Sequence, residues 1–184
     1  MKNIYIIGVP RTGKTTLTKL IKQEIPQLNL ISFEAIRNGF IKSQPELNMG
    51  NRESEARKEI LPSFIYEFVN WNEEITQYSS LIEGDFANID SIIKNTTDQD
   101  IIVCLGFNGR NIEEIIDGII KNDKETDYTK HWTRDQIESH FYDIVQKDIK
   151  NIENCKKYNI RYYDTYENRE EIFLKIVNRI KEKL

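Results

Sequence analysis

An eight-residue stretch near the start constrains this chain more than any other feature. Residues 8–15 read Gly-Val-Pro-Arg-Thr-Gly-Lys-Thr, which fits the pattern G-x-x-x-x-G-K-[ST]. In this pattern the glycines let backbone N–H groups curl around phosphate oxygens, the lysine reaches the β and γ phosphates, and the hydroxyl binds Mg²⁺. Residues 8–15, called the phosphate loop below, are therefore predicted to bind a nucleotide, with Lys14 and Thr15 in the side-chain roles.

The sequence on either side of the phosphate loop supports this interpretation. An apolar run of strand length covers residues 3–7, and Leu17, Leu20 and Ile21 recur at helical spacing within residues 14–25. A strand that turns into a helix N-terminus forms an anion-binding site. The residues expected to bind the nucleotide phosphates are Gly8, Pro10, Arg11, Thr12, Gly13, Lys14, Thr15 and Thr16.

Length and charge exclude several other classes of protein. The 184 residues suffice for one substantial core, so we expect a single domain over residues 1–184. The net charge of −4 argues against stable binding of nucleic acid or an anionic membrane. Two cysteines are too few for a disulfide framework, and neither a signal peptide nor a membrane span is predicted. We expect a cytoplasmic protein with a small-molecule partner; its oligomeric state stays open.

The apolar patterning predicts strands alternating with helices. The strands are expected at 3–7, 28–32, 80–83, 100–107 and 158–163, and the longer helices at 14–25, 34–41, 53–77, 110–121, 133–157 and around 172–180. Continuous apolar character, as in residues 100–107, is typical of strands that helices cover on both faces. The pattern predicts a doubly wound α/β fold with a five-stranded parallel sheet, and ligands bind such sheets at the carboxyl ends of the strands.

Two acids flank a glycine at the end of the third predicted strand. Glu83 and Asp85 are both candidates for the carboxylate that Mg²⁺ needs beside Thr15. If the strand pleat continues, the two acids share a face, and Gly84 leaves room for the metal and phosphate to approach. We favour Glu83 as the metal ligand, because Asp85 could instead cap a helix over residues 88–92.

With these motifs placed, the chain resembles the small P-loop kinases, the nucleoside-monophosphate-kinase-like group that includes adenylate kinase, shikimate kinase and antibiotic phosphotransferases. Residues 8–14 resemble the group's G-x-P-G-x-G-K loop, although Arg11 replaces the middle glycine. Residues 31–37 are similar to the acceptor-handling segment after strand two, and residues 81–86 resemble the D-G-[FY]-P-R element. The polar residues 122–135 occupy the place of the lid.

The resemblance implies an ATP- and Mg²⁺-dependent phosphotransferase that moves the γ-phosphoryl group to a small-molecule acceptor. Residues 34–78 would be the acceptor-side helical insertion and residues 122–135 a lid-like segment. Ala87-Asn88 stands where the group has Pro-Arg, and the lid carries only Lys130 and Arg134 instead of paired arginines. An acceptor other than a nucleoside monophosphate is therefore at least as well supported.

Candidate acceptor-side residues follow the second predicted strand. Glu34 would accept the proton of the acceptor hydroxyl or position the acceptor, unless it only stabilises the start of the following helix. Arg37 lies one turn later and would clamp an anionic acceptor, unless it is a solvated surface residue. Gly84 would allow the acceptor to approach, and Arg52 and Arg57 are weaker candidates for the same clamp.

The lid and the base of ATP are less well specified. Arg134, at the first turn of a helix with a predicted capping box, would act catalytically by closing over the β and γ phosphates, with Lys130 nearby. Arg110 is a further candidate, and the base is expected between the lid and residues 164–166.

Two other functions remain open from the sequence. One is an ATP-binding regulator or NTPase without a small-molecule acceptor, and the other is a nucleotide-sugar kinase of toxin type. A GTPase is disfavoured, because the chain has neither N-K-x-D nor D-x-x-G after the third strand.

Overall fold

The five predicted strands form one parallel sheet in the computed structural model, which describes residues 2–51, 53–86, 89–123, 125 and 127–184. The sheet has the order β2-β3-β1-β4-β5. Its strands are β1 (Ile4–Gly8), β2 (Asn29–Ser32), β3 (Ser80–Gly84), β4 (Ile101–Gly106) and β5 (Arg161–Asp164). The strands β1 and β3 are buried throughout, as the continuous apolar runs predicted.

Seven α-helices among the described residues connect the strands and cover the sheet. They are α1 (Lys14–Glu24), α2 (Phe33–Ser43), α3 (Leu61–Thr76), α4 (Ile89–Ile93), α5 (Ile112–Asn122), α6 (Arg134–Lys157) and α7 (Arg169–Lys183). In the described part of the chain, no helix is both long and apolar enough to cross a membrane. The doubly wound α/β class predicted from the sequence is confirmed.

The central strand β1 shows how the sheet separates two cores. Ile4 and Ile6 pack against residues of α1 and α7, whereas Tyr5 and Ile7 pack on the opposite face with residues of α2 and α3. This division follows from the period of two in a strand, which sends successive side chains to opposite faces. A third cluster joins α5 to α6 beside the phosphate loop and includes Val9.

The segment before α3 is helical but irregular. A single 3₁₀ turn covers Pro45–Leu47, and a π-helical stretch over Ala56–Ile60 leads directly into α3. Pro62 lies in the first turn of α3. Because proline has no N–H to donate to the preceding turn, the regular α ladder cannot continue through it. Pro62 therefore lies where the π-helical stretch ends and the regular α-helix α3 begins.

Several element boundaries differ from the prediction, and two of the differences have a clear local cause. Helix α5 begins at Ile112, not residue 110, because the Asn111 side chain accepts a hydrogen bond from the N–H of Glu114 and caps the helix. Strand β5 begins at Arg161, not residue 158, because Tyr158 ends α6 and Asn159 takes a left-handed conformation. In contrast, the capping box of Thr133 and Gln136 at the start of α6 is confirmed.

Candidate active site

The phosphate loop connects the buried strand β1 to the N-terminus of α1. Gly8 has a φ of +138°, and a Cβ there would lie 2.1 Å from the carbonyl oxygen of Leu105. Gly13 has a φ of +88° and immediately precedes α1. Both positions therefore require glycine, since other residues rarely adopt such backbone angles.

Lys14 lies across the phosphate loop and is 9% exposed. Its ammonium group donates a hydrogen bond of 2.9 Å to the carbonyl oxygen of Val9, and the Thr12 hydroxyl donates to the same oxygen at 2.8 Å. A positive charge in the first turn of a helix is unfavourable beside the helix dipole. A bound phosphate would remove that conflict, because its negative charge is favourable at the same helix terminus.

Glu83 at the end of β3 connects the phosphate loop to β2. The Thr15 hydroxyl donates to Glu83 Oε2 at 3.3 Å, and the Ser32 hydroxyl donates to Oε1 at 3.3 Å. Parallel pairing places Ser32 directly beside Glu83. Burial, followed by the nearby charge of Glu34, raises the pKa of Glu83, and Lys14 acts in the opposite direction.

The oxygen atoms of Thr15 and Glu83 fit a Mg²⁺ ion. Mg²⁺ commonly uses one or two protein carboxylates and completes its shell with water and substrate phosphates. No group of three or more histidine, cysteine or acidic side chains with metal-binding geometry occurs among the described residues. A divalent cation would also offset the repulsion between Glu83 and Glu34, so the donor set and its charge agree with a magnesium site of this kind.

Glu34 and Gly84 lie together at the end of β3. Glu34 Oε1 accepts a hydrogen bond of 2.8 Å from the backbone N–H of Asp85. A Cβ on Gly84 would lie 2.4 Å from Phe33 Cβ and 2.9 Å from Glu34 Oε2. The glycine therefore allows the start of α2 to approach the end of β3. Gly84 was expected to leave room for the metal, phosphate or acceptor, but the groups that approach it most closely are Phe33 and Glu34 of α2.

The partner of Asp85 differs from the one expected. Its carboxylate forms an ion pair with Lys147 of α6, and Lys147 also donates a hydrogen bond of 2.6 Å to the carbonyl oxygen of Phe86. The strand pleat was expected to place Asp85 and Glu83 on one face. However, β3 ends at Gly84, so the alternation does not extend to Asp85. Of the two acids, the structure shows Glu83 in contact with Thr15.

Three arginines were predicted near the acceptor. Arg37 Nη2 donates to the neighbouring Asn38 side chain at 3.2 Å, whereas the buried Nε of Arg37 has no hydrogen-bond partner in the described part of the chain. Arg57 is 1% exposed and donates to the carbonyl oxygens of Met49 at 3.3 Å and Asp85 at 3.5 Å. Through these contacts the buried Arg57 side chain connects the backbone at Met49 to the backbone just after β3. Arg52, together with residues 87 and 88, lies outside the described residues.

Arg11 has an unexpected set of partners. It takes a left-handed backbone angle, with a φ of 70°, and its guanidinium forms ion pairs with Asp123 and Asp127 of the lid-like segment. The Thr129 hydroxyl also donates to Asp123 at 2.8 Å. Arg11 was expected to contact phosphate, but in this conformation it joins the phosphate loop to the lid-like segment.

The cations near the lid also differ from the expectation. Arg134 forms an exposed ion pair of 2.7 Å with Asp117 on α5, and Lys130 pairs with Glu125 at 3.4 Å. Arg169, at the start of α7, was missed by sequence reasoning. Arg169 lines a cleft beside the phosphate loop. Its guanidinium donates to the carbonyl oxygens of Thr165 at 3.0 Å and Arg11 at 3.4 Å.

Burial, and then the charge of Arg11, lowers the pKa of Arg169. The available signal in the sequence was an arginine at the first turn of the last helix, where a positive charge is unfavourable. Because the last helix was predicted to begin near residue 172, this argument was not applied to Arg169.

A cleft of about 660 Å³ extends from the phosphate loop to the loop after β5. Its polar end is formed by Gly13, Lys14, Thr15, Thr16 and Arg169, and its other end includes Phe107, Ile115, Gly118, Ile119 and Tyr166. The Tyr166 hydroxyl donates to the carbonyl oxygen of Glu114 at 2.7 Å. The Arg110 guanidinium lies 4.3 Å from the centre of the Tyr166 ring. The cleft therefore combines cationic side chains beside the phosphate loop with apolar and aromatic side chains, and the carboxylates of Asp117, Asp127 and Glu167 also line it.

The sheet order, the position of the phosphate loop between β1 and α1, and this cleft define a P-loop NTPase fold of the kinase-like type. The resemblance to the small P-loop kinases is thus confirmed at the level of the fold.

Solved structures of three kinases share this fold over nearly the whole chain. A gluconokinase from Sinorhizobium meliloti has a TM-score of 0.64 and 14% identity, covering 98% of this chain and 94% of its own. A sugar kinase from Janibacter has a TM-score of 0.65 and 13% identity, with coverages of 98% and 95%. A shikimate kinase from Bacteroides thetaiotaomicron has a TM-score of 0.56 and 13% identity, with coverages of 98% and 97%.

The chain is also similar in sequence to the nucleoside-triphosphatase THEP1 of Methanocaldococcus jannaschii. The two are 25% identical over an alignment of 192 positions, gaps included, which covers 96% of each chain. No model of a protein family matches the sequence.

Proposed function

We propose that this protein is an ATP- and Mg²⁺-dependent phosphotransferase that moves the γ-phosphoryl group of ATP to a small-molecule acceptor. The observation that carries the proposal is the position of two acids beside the phosphate loop. Glu83 contacts Thr15, and Glu34 lies close enough to raise the pKa of Glu83. Binding of the metal and nucleotide needs only the first acid, and the second is placed to act on the group that attacks the γ phosphorus, which in this proposal is an acceptor hydroxyl.

The nucleotide side of the proposed reaction uses the phosphate loop. Its backbone N–H groups and Lys14 would hold the β and γ phosphates, and Thr15 and Glu83 would hold Mg²⁺. When bound, Mg²⁺ neutralises charge that develops on the transferred group. Arg169 lies at the cationic end of the cleft and is the better candidate for a further phosphate contact, because Arg134 is paired with Asp117. The base would occupy the apolar end beside Tyr166.

The acceptor side of the proposed reaction uses Glu34, Gly84 and Arg37. The Asp85 N–H donates to Glu34 Oε1, which leaves Oε2 as the oxygen to accept the acceptor's proton. The acceptor oxygen then bonds to the γ phosphorus as the bond to the ADP oxygen breaks. Arg37, with its unpartnered Nε, would bind an anionic group of the acceptor.

A nucleoside-triphosphatase without a small-molecule acceptor is the second candidate. The sequence similarity to a nucleoside-triphosphatase over 96% of the chain favours it. The two candidates share the nucleotide site and differ in what attacks the γ phosphorus. Water would replace the acceptor hydroxyl, and Glu34 would orient that water.

Transfer of label from ATP distinguishes the two candidates. The protein is incubated with γ-labelled ATP, Mg²⁺ and fractionated small metabolites, and the labelled products are separated. Label on a new small molecule supports the phosphotransferase. Label that appears only as inorganic phosphate, at a rate no metabolite fraction changes, supports the triphosphatase. The Lys14→Ala variant controls for contaminating activity, provided that its circular dichroism matches the unmodified protein.

A further inference from the structure

The outer face of α3 carries a row of large apolar side chains that the rest of the chain does not cover. Ile60, Phe64, Phe68, Trp71 and Ile75, called the α3 stripe below, are between 43% and 78% exposed. Their spacing of three and four residues places them on one side of a helix. Leu61, Ile65 and Val69 on the adjacent side of α3 are buried in the core. The apolar surface of α3 is therefore wider than the part that packs against the core.

The α3 stripe includes Ile60, the last residue of the π-helical stretch before α3, and two of its members are in contact with each other. The rings of Phe64 and Phe68 are stacked with centroids 6.3 Å apart, and the edge of Phe64 meets Phe40 of α2 at 5.1 Å. Single exposed apolar residues are normal on a protein surface, but contiguous apolar patches usually mark interaction sites. This patch lies on a helix surface rather than in a cavity, and the cleft described above does not include it.

The order of residues in the α3 stripe makes it complementary to itself. Ile60 and Ile75 are at its two ends, Phe64 and Trp71 lie inside them, and Phe68 is near the centre. Turning the helix end over end about its midpoint exchanges isoleucine with isoleucine and aromatic with aromatic. A two-fold interface has this property, since each contact between residues i and j occurs twice.

We propose that the protein forms a homodimer in which the α3 stripes of two copies pack antiparallel across a two-fold axis. Phe64 would contact Trp71 of the partner subunit, Ile60 would contact the partner's Ile75, and Phe68 would lie beside the partner subunit's Phe68. A different side of α3 carries Asn70, Glu73, Glu74 and Gln77 and is not part of the α3 stripe.

The dimensions of the α3 stripe agree with this arrangement. At 1.5 Å per residue it is about 22 Å long. Its five side chains together expose on the order of 600 Å², and a standard interface buries about 800 Å² from each partner. Neighbouring residues on α2 and at the end of α3 need supply only the remainder. The α3 stripe thus forms most of one interface of ordinary size.

Light scattering coupled to size-exclusion chromatography tests the dimer in the full-length protein. We expect twice the monomer mass for the unmodified protein and the monomer mass for Phe68→Glu and Trp71→Glu. The matched control is Tyr142→Glu on α6, where the replaced aromatic side chain is 60% exposed but lies outside the stripe; this variant should remain a dimer. A monomer mass for the unmodified protein across the whole concentration range, or a Tyr142→Glu variant that dissociates equally, overturns the proposal.

Cross-linking tests the position of the axis. Oxidation by diamide should join two copies of the Phe68→Cys variant through a disulfide, because the two thiols face each other. The buried Cys104 and Cys155 should not interfere. The control is Leu174→Cys on α7. Leu174 is 60% exposed and lies outside the α3 stripe, so this variant should cross-link only weakly. Equal cross-linking of both variants rejects the stripe as the interface. None of these results depends on catalytic activity, so they stand or fall separately from the proposed function.

Discussion

Arg11 Nη1 in the phosphate loop lies 2.8 Å from a carboxylate oxygen of Asp127 in the lid-like segment. The same guanidinium pairs with Asp123, and the side chains of Arg11 and Asp123 are only 15% and 5% exposed. The phosphate loop is therefore connected directly to the lid-like segment. A change at the phosphate loop can reach that segment through one side chain.

Replacing Arg11 should loosen the lid-like segment. Arg11→Ala leaves the buried carboxylate of Asp123 without its cation, so we expect a loss of about 1–3 kcal/mol in the free energy of unfolding. Amide hydrogen exchange in residues 121–130 should become faster. Arg134→Ala is the matched control, because its pair with Asp117 is exposed and should contribute little. Equal exchange in the two variants would show that Arg11 does not hold this segment.

Removing the ammonium group of Lys14 should abolish catalysis without unfolding the protein. Lys14→Ala should lower turnover of ATP by roughly 10³-fold or more, since phosphoryl transfer depends on charge neutralisation. Turnover is measured by release or transfer of γ-label, and the fold is checked by circular dichroism. Lys19→Ala removes an exposed lysine from the same helix and should leave turnover unchanged. Full activity in Lys14→Ala would reject the proposed nucleotide site.

Binding of Mg²⁺ should depend on pH through Glu83. Its pKa is raised above the ordinary value of a glutamic acid, so the folded protein retains a proton that Mg²⁺ must displace. Affinity for Mg²⁺ should therefore increase as the pH rises through that raised pKa. Without metal, stability should decrease over the same pH interval, because ionisation is less favourable in the folded state than in the unfolded state.

Calorimetry in buffers of different ionisation enthalpy measures the proton released on Mg²⁺ binding. The Glu83→Gln variant should lose most of its Mg²⁺ affinity and its proton release. Glu74→Gln removes an exposed acid and should retain both. A Glu83→Gln variant with unchanged affinity would exclude Glu83 as a metal ligand.

Glu34 can act as a base or as a positioning group, and kinetics separate these roles. As a base, Glu34→Gln should lower kcat by roughly 10²-fold or more with little change in the KM for the acceptor. A larger KM with normal kcat would identify a positioning group instead. Glu34→Asp keeps the carboxylate and should recover part of the rate only if a proton is transferred to it.

Gly84 should not tolerate even a methyl group. The added Cβ in Gly84→Ala would lie 2.4 Å from Phe33 Cβ and 2.9 Å from Glu34 Oε2, so α2 must move away from β3. We expect destabilisation of about 1–3 kcal/mol and a loss of activity through displacement of Glu34. Gly39→Ala is the control in α2, where a Cβ has open space, and should stabilise the protein by about 0.5–1 kcal/mol. Thermal unfolding of both variants measures the difference.

Much of the architecture could be predicted because its signals are local. The apolar runs predicted the five strands and their parallel arrangement, and the Thr133 capping box predicted the start of α6. The errors at the start of α5 and β5 came from single asparagines, Asn111 and Asn159, whose roles as a cap and a left-handed turn lie within a few residues of the predicted boundary. Sequence patterns locate such boundaries only within a few residues.

The sequence by itself determined where the phosphate loop is and which acids follow β2 and β3, because short-range backbone chemistry and the carboxyl ends of parallel strands dictate those positions. Only the tertiary structure decided which charges meet. Arg11 pairs with residues more than one hundred positions later, Asp85 pairs with Lys147, and Arg169 reaches the cleft from the last helix. Ion pairs between residues far apart in the sequence depend on how the helices pack on the sheet. A local sequence pattern does not specify which distant side chains come together in this way. The same reason explains why Arg169 was missed and why the pairing of Arg134 with Asp117 was not predicted.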